Sequence, residues 1–160
     1  MRLAACLFVL SFGLLSSAQS NTGANDFSIT LERTGCEGIC PSYSVTIFSD
    51  GSVRYEGILY VHVEGIRRKT IPVSRVNKLI QKLRDEDVLH WEEKTDGVCV
   101  DYPIVLITAD LNGQHKRLKE GCLAPGKVLT LARELDTISD TKSWVGNVRE
   151  EMLQKHPSNH

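Results

Sequence analysis

Five cysteines carry the reactive chemistry most visible in this 160-residue sequence: Cys6, Cys36, Cys40, Cys99 and Cys122. Thiols can pair as disulfides, cycle as a redox couple or bind zinc, and spacing and compartment choose among these. The compartment is read from the N-terminus. Met1-Arg2 precedes an apolar run from Leu3 to Leu15, then Ser16-Ser17-Ala18-Gln19-Ser20. This is the layout of a secretory signal peptide over residues 1–18, with Ser16 at −3 and cleavage between Ala18 and Gln19. A rival reading takes Leu3-Ala4-Ala5-Cys6 as a lipobox with Cys6 lipidated. A cut there leaves most of the apolar signal on the product, so cleavage at Ala18 is preferred. The expectation is an exported chain, periplasmic or extracellular, with no membrane span after cleavage.

Export leaves Cys36, Cys40, Cys99 and Cys122, an even number, and four cysteines allow three pairings. We expect Cys36–Cys40 and Cys99–Cys122, because each joins segments that adjoin in the topology below. On the chain-entropy argument they are worth roughly 2 and 3.5 kcal/mol. C-x3-C and C-x22-C lack the paired C-x2-C knuckles of zinc sites. A redox role for Cys36/Cys40 is the alternative, but redox pairs use C-x-x-C at a helix N-terminus, and here Pro41 leads into a strand.

Other reactive groups are weaker candidates. Asp96 and Asp101 flank Val98-Cys99-Val100 as a possible acid–base pair, but loop aspartates commonly cap turns. His62, His90, His115, His156 and His160 show no metal-ligand spacing. G-x-S-x-G, P-loop and dinucleotide signatures are missing, so no catalytic, cofactor-binding or metal residue is assigned and the reading leans away from an enzyme. Arg67, Arg68, Lys69, Arg75, Lys78 and Lys82 form a basic stretch, but acidic residues 85–87 and 92–93 follow it. The formal net charge is −1 and aromatics are 6% of residues, which argues against a nucleic-acid partner. What remains is a binding module for an envelope protein or a small ligand.

The elements that would hold these residues follow from periodicity. Residues 19–26 are small and polar and read as a linker. Phe27, Ile29 and Leu31, then Tyr43, Val45 and Ile47, then Val53 and Tyr55 alternate as half-buried strands. Leu59, Val61 and Val63 suggest a fourth strand, with 67–71 extending the meander. Pairing the first two strands with position numbers summing to 76 sets Leu31 against Val45 and Cys36 opposite Cys40, with Gly38 at the apex; a sum of 74 keeps the same faces, and 76 is preferred. The Asp50-Gly51 turn fits a three-residue loop with a left-handed Gly51, pairing Ile47 with Val53.

Ser74 is expected to cap a helix over roughly 75–87, with Val76, Leu79, Ile80 and Leu83 on one stripe. The apolar run 104–107 reads as a strand covered on both faces, and Asn112-Gly113 as a hairpin turn. Pro125 can open a helix with Val128, Leu131, Ala132, Leu135 and Ile138 inward. Val145, Val148 and Met152 suggest one short final helix, and 156–160 a frayed tail. The whole reads as a single α+β domain over 27–155: an antiparallel meander plus hairpin, with two or three helices on one face, stabilised by disulfides.

One segment carries a resemblance. Thr34-Gly35-Cys36, Gly38, Cys40-Pro41, Tyr43, Val45, Ile47, Asp50-Gly51, Val53, Tyr55 and Gly57 resemble the opening of a bacterial family, domain of unknown function 6438. Thr95-Asp96 and Trp144 are also similar to its pattern, so the resemblance spans roughly 27–145. It implies an exported or lipid-anchored envelope protein and carries no activity. The Cys99/Cys122 pair stands outside that pattern.

Overall fold

The computed structural model describes residues 27–92, 102–121 and 126–155. Strands β1 (Phe27–Arg33), β2 (Ser42–Phe48), β3 (Ser52–Leu59), β4 (Gly65–Thr70), β5 (Val105–Leu111) and β6 (Gln114–Glu120) form one antiparallel sheet in the order β4-β3-β2-β1-β5-β6. Helices α1 (Val73–Asp85) and α2 (Lys127–Ser139) pack on one face; a 3-10 turn (Val88–His90) follows α1, and α3 (Lys142–Val145) and α4 (Val148–Lys155) follow α2. The α+β architecture expected from the periodicities is the one observed.

The alternating residues point inward as a set: Phe27, Ile29 and Leu31 from β1, Val45 and Ile47 from β2, and Ile107, Ala109 and Leu111 from β5 are buried against both long helices. Register follows the hydrophobic pattern, with Ile29 facing Ile47 and Leu31 facing Val45. A slip of one residue would turn every inward side chain out. The β2–β3 turn has the expected form: Gly51 is left-handed (φ 84°), and Ile47 pairs with Val53 and Val45 with Tyr55. Asn112 (φ 53°) and Gly113 (φ 77°) close the two-residue β5–β6 turn, where both residues need positive φ.

Four expectations need correction. The fourth strand is not at Leu59–Val63. Tyr60 adopts a left-handed φ of 54° and breaks the ladder, and β4 starts only at Gly65. The His62 and Val63 N–H groups donate instead to the carbonyls of Val145 (3.1 Å) and Trp144 (3.0 Å), clasping α3. Ser74 does not cap α1, which starts at Val73 with Pro72 in the cap position and no side-chain cap. Proline's fixed φ suits that boundary, and the Arg75 N–H bonds the Pro72 carbonyl at 2.8 Å. β5 is covered on one face only, so Val105, Ile107 and Ala109 are buried while Leu106 is half-buried. The final helix is two pieces, broken at Gly146, whose φ of 68° cannot continue a helix. Pro125 lies outside the described residues.

The uncovered sheet face carries an in-register row of Arg68, Arg54, Thr46, Thr30, Thr108 and Arg117. The outer strands are basic, with Arg67-Arg68-Lys69 on β4 and Lys116-Arg117 with Lys119 on β6, a composition that discourages edge-to-edge pairing. No helix among the described residues is long and apolar enough to cross a membrane.

A second, smaller core joins Tyr43, Tyr55 and Val61 to Trp144 and Val145. Tyr55 stacks at 4.9 Å on Trp144, which is covered by the Lys69 ammonium at 4.3 Å from the ring centre. Tyr55 also reaches along its strand over Gly57: a Cβ there would lie 2.8 Å from the Tyr55 hydroxyl and 2.1 Å from the Val63 carbonyl. Gly57→Ala should therefore lower unfolding stability by about 1–3 kcal/mol. Gly35→Ala, where a Cβ meets nothing within 4 Å, should change it by less than about 0.5 kcal/mol in the same urea titrations.

Candidate functional site

The motif loop leaves β1 at Thr34 and is pinned at once. The Thr34 N–H donates to the Ile104 carbonyl (3.0 Å), and the Ile104 N–H donates to Thr34 Oγ1 (2.8 Å). A short side chain here takes over the ladder where the strand ends. Cys36 and Cys40 are bridged, with Cα atoms 5.6 Å apart, and the Cys40 N–H bonds the Gly38 carbonyl at 3.1 Å. The bridge closes the hairpin that β1 and β2 open. Gly35 and Gly38 have room for a Cβ and neither is left-handed, so nothing in the structure explains why they are glycines.

The motif then divides. Tyr43 stands at the start of β2, near the bridge, whereas Asp50-Gly51 lie beyond its far end, about 20 Å of extended chain away. Asp50 Oδ1 accepts from the Ser52 hydroxyl and N–H, at 2.6 and 2.8 Å, and these bonds hold its carboxyl below the usual range. Its work is to fix the turn.

Tyr43 leads to the feature that the sequence reading missed. Its hydroxyl donates to Asp136 Oδ1 at 2.7 Å, which Thr141 Oγ1 also approaches at 2.8 Å. Arg33 Nη2 and Nε donate to Asp136 Oδ2 at 2.7 and 3.1 Å. Both oxygens of this carboxylate are thus doubly engaged. Burial, and then the Asp136 charge, push the Tyr43 phenol well above the ordinary tyrosine range, so it stays a donor. For Arg33, burial opposes the charge, the Asp136 carboxylate favours it, and its pKa rises.

Above this group opens a cavity of about 580 Å³. The hairpin contributes Ile39, Cys40 and Pro41, the approach to β5 contributes Tyr102, Pro103 and Ile104, and Leu129 and Val145 close the helical side. Glu120 also lines it, but its carboxylate accepts from the N–H groups of Gly126 and Leu129, capping α2 from the neighbouring strand and placing negative charge at the helix's positive end. A second cavity, about 440 Å³, adjoins and shares Tyr43, Asp136 and Val145 with the first. The arrangement is a cavity with largely apolar walls over a charge-balanced floor.

The remaining candidates fall elsewhere. Asp96, Cys99, Asp101 and Cys122, like Cys6 and the Ala18–Gln19 junction, lie outside the described residues. His62, His90 and His115 each meet one carboxylate, of Glu151, Asp87 and Asp110 respectively. Asp110 also accepts from Ser28 Oγ at 3.2 Å, which brings a serine, an aspartate and a histidine together. The order is wrong for a nucleophile, since the aspartate rather than the histidine touches the serine. No group of three potential metal ligands occurs among the described residues. Half of the basic stretch is structural: Lys69 bonds Asp140, Arg75 the Ile138 carbonyl, and Lys82 both Glu86 and Glu134.

Tyr43 and Tyr55 give this region a pH signature. Burial also pushes the Tyr55 phenol up, to about 12. Both folded pKa values lie above the unfolded value near 10, so this stabilisation is complete below about pH 10 and is lost as pH rises further, where the unfolded chain ionises first. Urea titrations should show stability falling between about pH 10 and 12. Tyr55→Phe should flatten part of that fall. At pH 7 it should be neutral or stabilising by up to about 1 kcal/mol, because the buried hydroxyl has no partner among the described residues. Tyr43→Phe, which removes a donor from Asp136, should cost about 1–2 kcal/mol at pH 7.

No curated protein matches the sequence. The profile of a family described as a domain of unknown function matches residues 27–139, from the first residue of β1 to the last of α2, a span that includes Arg33, Tyr43 and Asp136. The chain therefore belongs to the domain of unknown function 6438 family.

Proposed function

We propose that this chain is a non-catalytic binding module exported to the bacterial cell envelope, and that its ligand sits in the cavity between the disulfide-closed hairpin and α2. The cavity carries the reading: it has a volume common to ligand sites, apolar residues dominate its walls, and Arg33, Asp136 and Glu120 are each paired within the protein. The export reading rests on the N-terminal sequence and on the Cys36–Cys40 bridge. A second reading, thiol–disulfide exchange at Cys36–Cys40, draws on Cys40 lining the cavity. Against it, the pair bridges two strand ends rather than standing at a helix N-terminus, the setting that lowers a thiol pKa.

Two measurements test the proposal on the full chain expressed in a bacterial host. Intact mass should show a product that begins at Gln19, and retention of residues 1–18 or a lipid on Cys6 would overturn the stated processing. Nile red, a neutral apolar dye, should bind one saturable site, and Ile39→Trp, which fills the cavity from the hairpin tip, should weaken it at least tenfold. Phe48→Ser, on the uncovered sheet face, should leave it unchanged. Saturable binding that ignores Ile39→Trp would overturn the site, and an absence of saturable binding would overturn the proposed module.

A further inference from the structure

The two adjoining cavities differ in polarity, and their order along the cleft specifies a ligand. The larger one is apolar and its charges are balanced: Asp136 engages Arg33, and Glu120 caps α2. An ionic group placed there would lose hydration without gaining a free counter-charge. The smaller cavity, reached past Tyr43, Asp136 and Val145, is lined by Thr137, Asp140, Thr141 and Lys142. Asp140 there is taken by Lys69 at 3.1 Å. Lys142 is exposed and makes no ion pair or side-chain hydrogen bond with the described residues. The cleft therefore runs from a neutral, apolar end to an end with one unmatched positive charge.

We infer that the cleft takes a single-chain amphiphile, its unbranched apolar tail in the larger cavity and a carboxylate head beside Lys142. The inference rests on the binding-module reading and adds to it the class and direction of the ligand. This is the chemistry of a free fatty acid. The tail supplies most of the affinity through burial and the head supplies orientation, since an exposed ion pair contributes little.

The test is displacement of Nile red from the full-length protein, with every competitor below its micellar concentration. Octanoate, decanoate and dodecanoate should bind progressively tighter, by about fourfold per added methylene, until the larger cavity is full. Among twelve-carbon chains, the carboxylate should bind up to about fivefold tighter than the alcohol, and the ammonium should bind weakest. Lys142→Glu should invert that order while leaving the alcohol unchanged, and Lys142→Met should erase it; circular dichroism checks that both variants fold. An apolar peptide acid that outcompetes dodecanoate would overturn the unbranched tail, whereas the reverse order supports it. If Nile red binds and Ile39→Trp abolishes it, but head charge and Lys142 make no difference, the amphiphile is overturned and the binding module stands. If Nile red does not bind, both fall.

Discussion

The Asp136 carboxylate sits where three parts of the chain meet. Arg33 reaches it from β1, Tyr43 from β2 and Thr141 from the turn after α2, and its two oxygens accept four hydrogen bonds from them. A carboxylate held this way cannot move without leaving charge or buried donors unpaired, which carries a larger penalty than the bonds are worth in isolation. The position of α2 against the centre of the sheet follows from it. So does the position of α3, because the Thr141 N–H also bonds the Asp136 carbonyl at 3.1 Å and starts the turn that carries Trp144. The cavity is what remains between this anchored helix and the hairpin closed by Cys36–Cys40.

Most of the framework was legible because one-sided burial forces a period of two on every inner strand. The sum-of-76 register was recoverable from two constraints that agree: Leu31 and Ile29 need Val45 and Ile47, and Cys36 needs Cys40. The errors came where apolar residues serve something other than a ladder. Val61 and Val63 look like a strand because they alternate, yet Val61 belongs to the aromatic cluster and the Val63 backbone bonds α3. Alternation records burial and does not say what does the burying.

The site was less legible, and for a different reason. Its key pair is separated by 103 residues, and Asp136 stands beside Leu135 on a helix read only for its apolar stripe. One clue was present. Tyr43 occupies an inward position of β2 in line with the aliphatic Val45 and Ile47, and a buried phenol calls for a hydrogen-bond partner. Asking which polar residue could answer Tyr43 would have pointed to the helices. The motif residues Asp50 and Gly51 drew attention for their spacing, but they shape a turn at the other end of the strand.

The strand order has a kinetic side. Every neighbouring pair in the sheet is a sequential hairpin except β1 with β5, which joins residues some eighty positions apart, as in Ser28 beside Asp110. The meander β1–β4 and the hairpin β5–β6 can each form through short loops, but uniting them requires one long loop closure. Until that happens, β1 is an open edge carrying Phe27, Ile29 and Leu31, with Arg33 as its one cation against three each on β4 and β6. The interval in which the chain is prone to stick to its own copies is therefore set by how quickly the β5–β6 hairpin reaches β1.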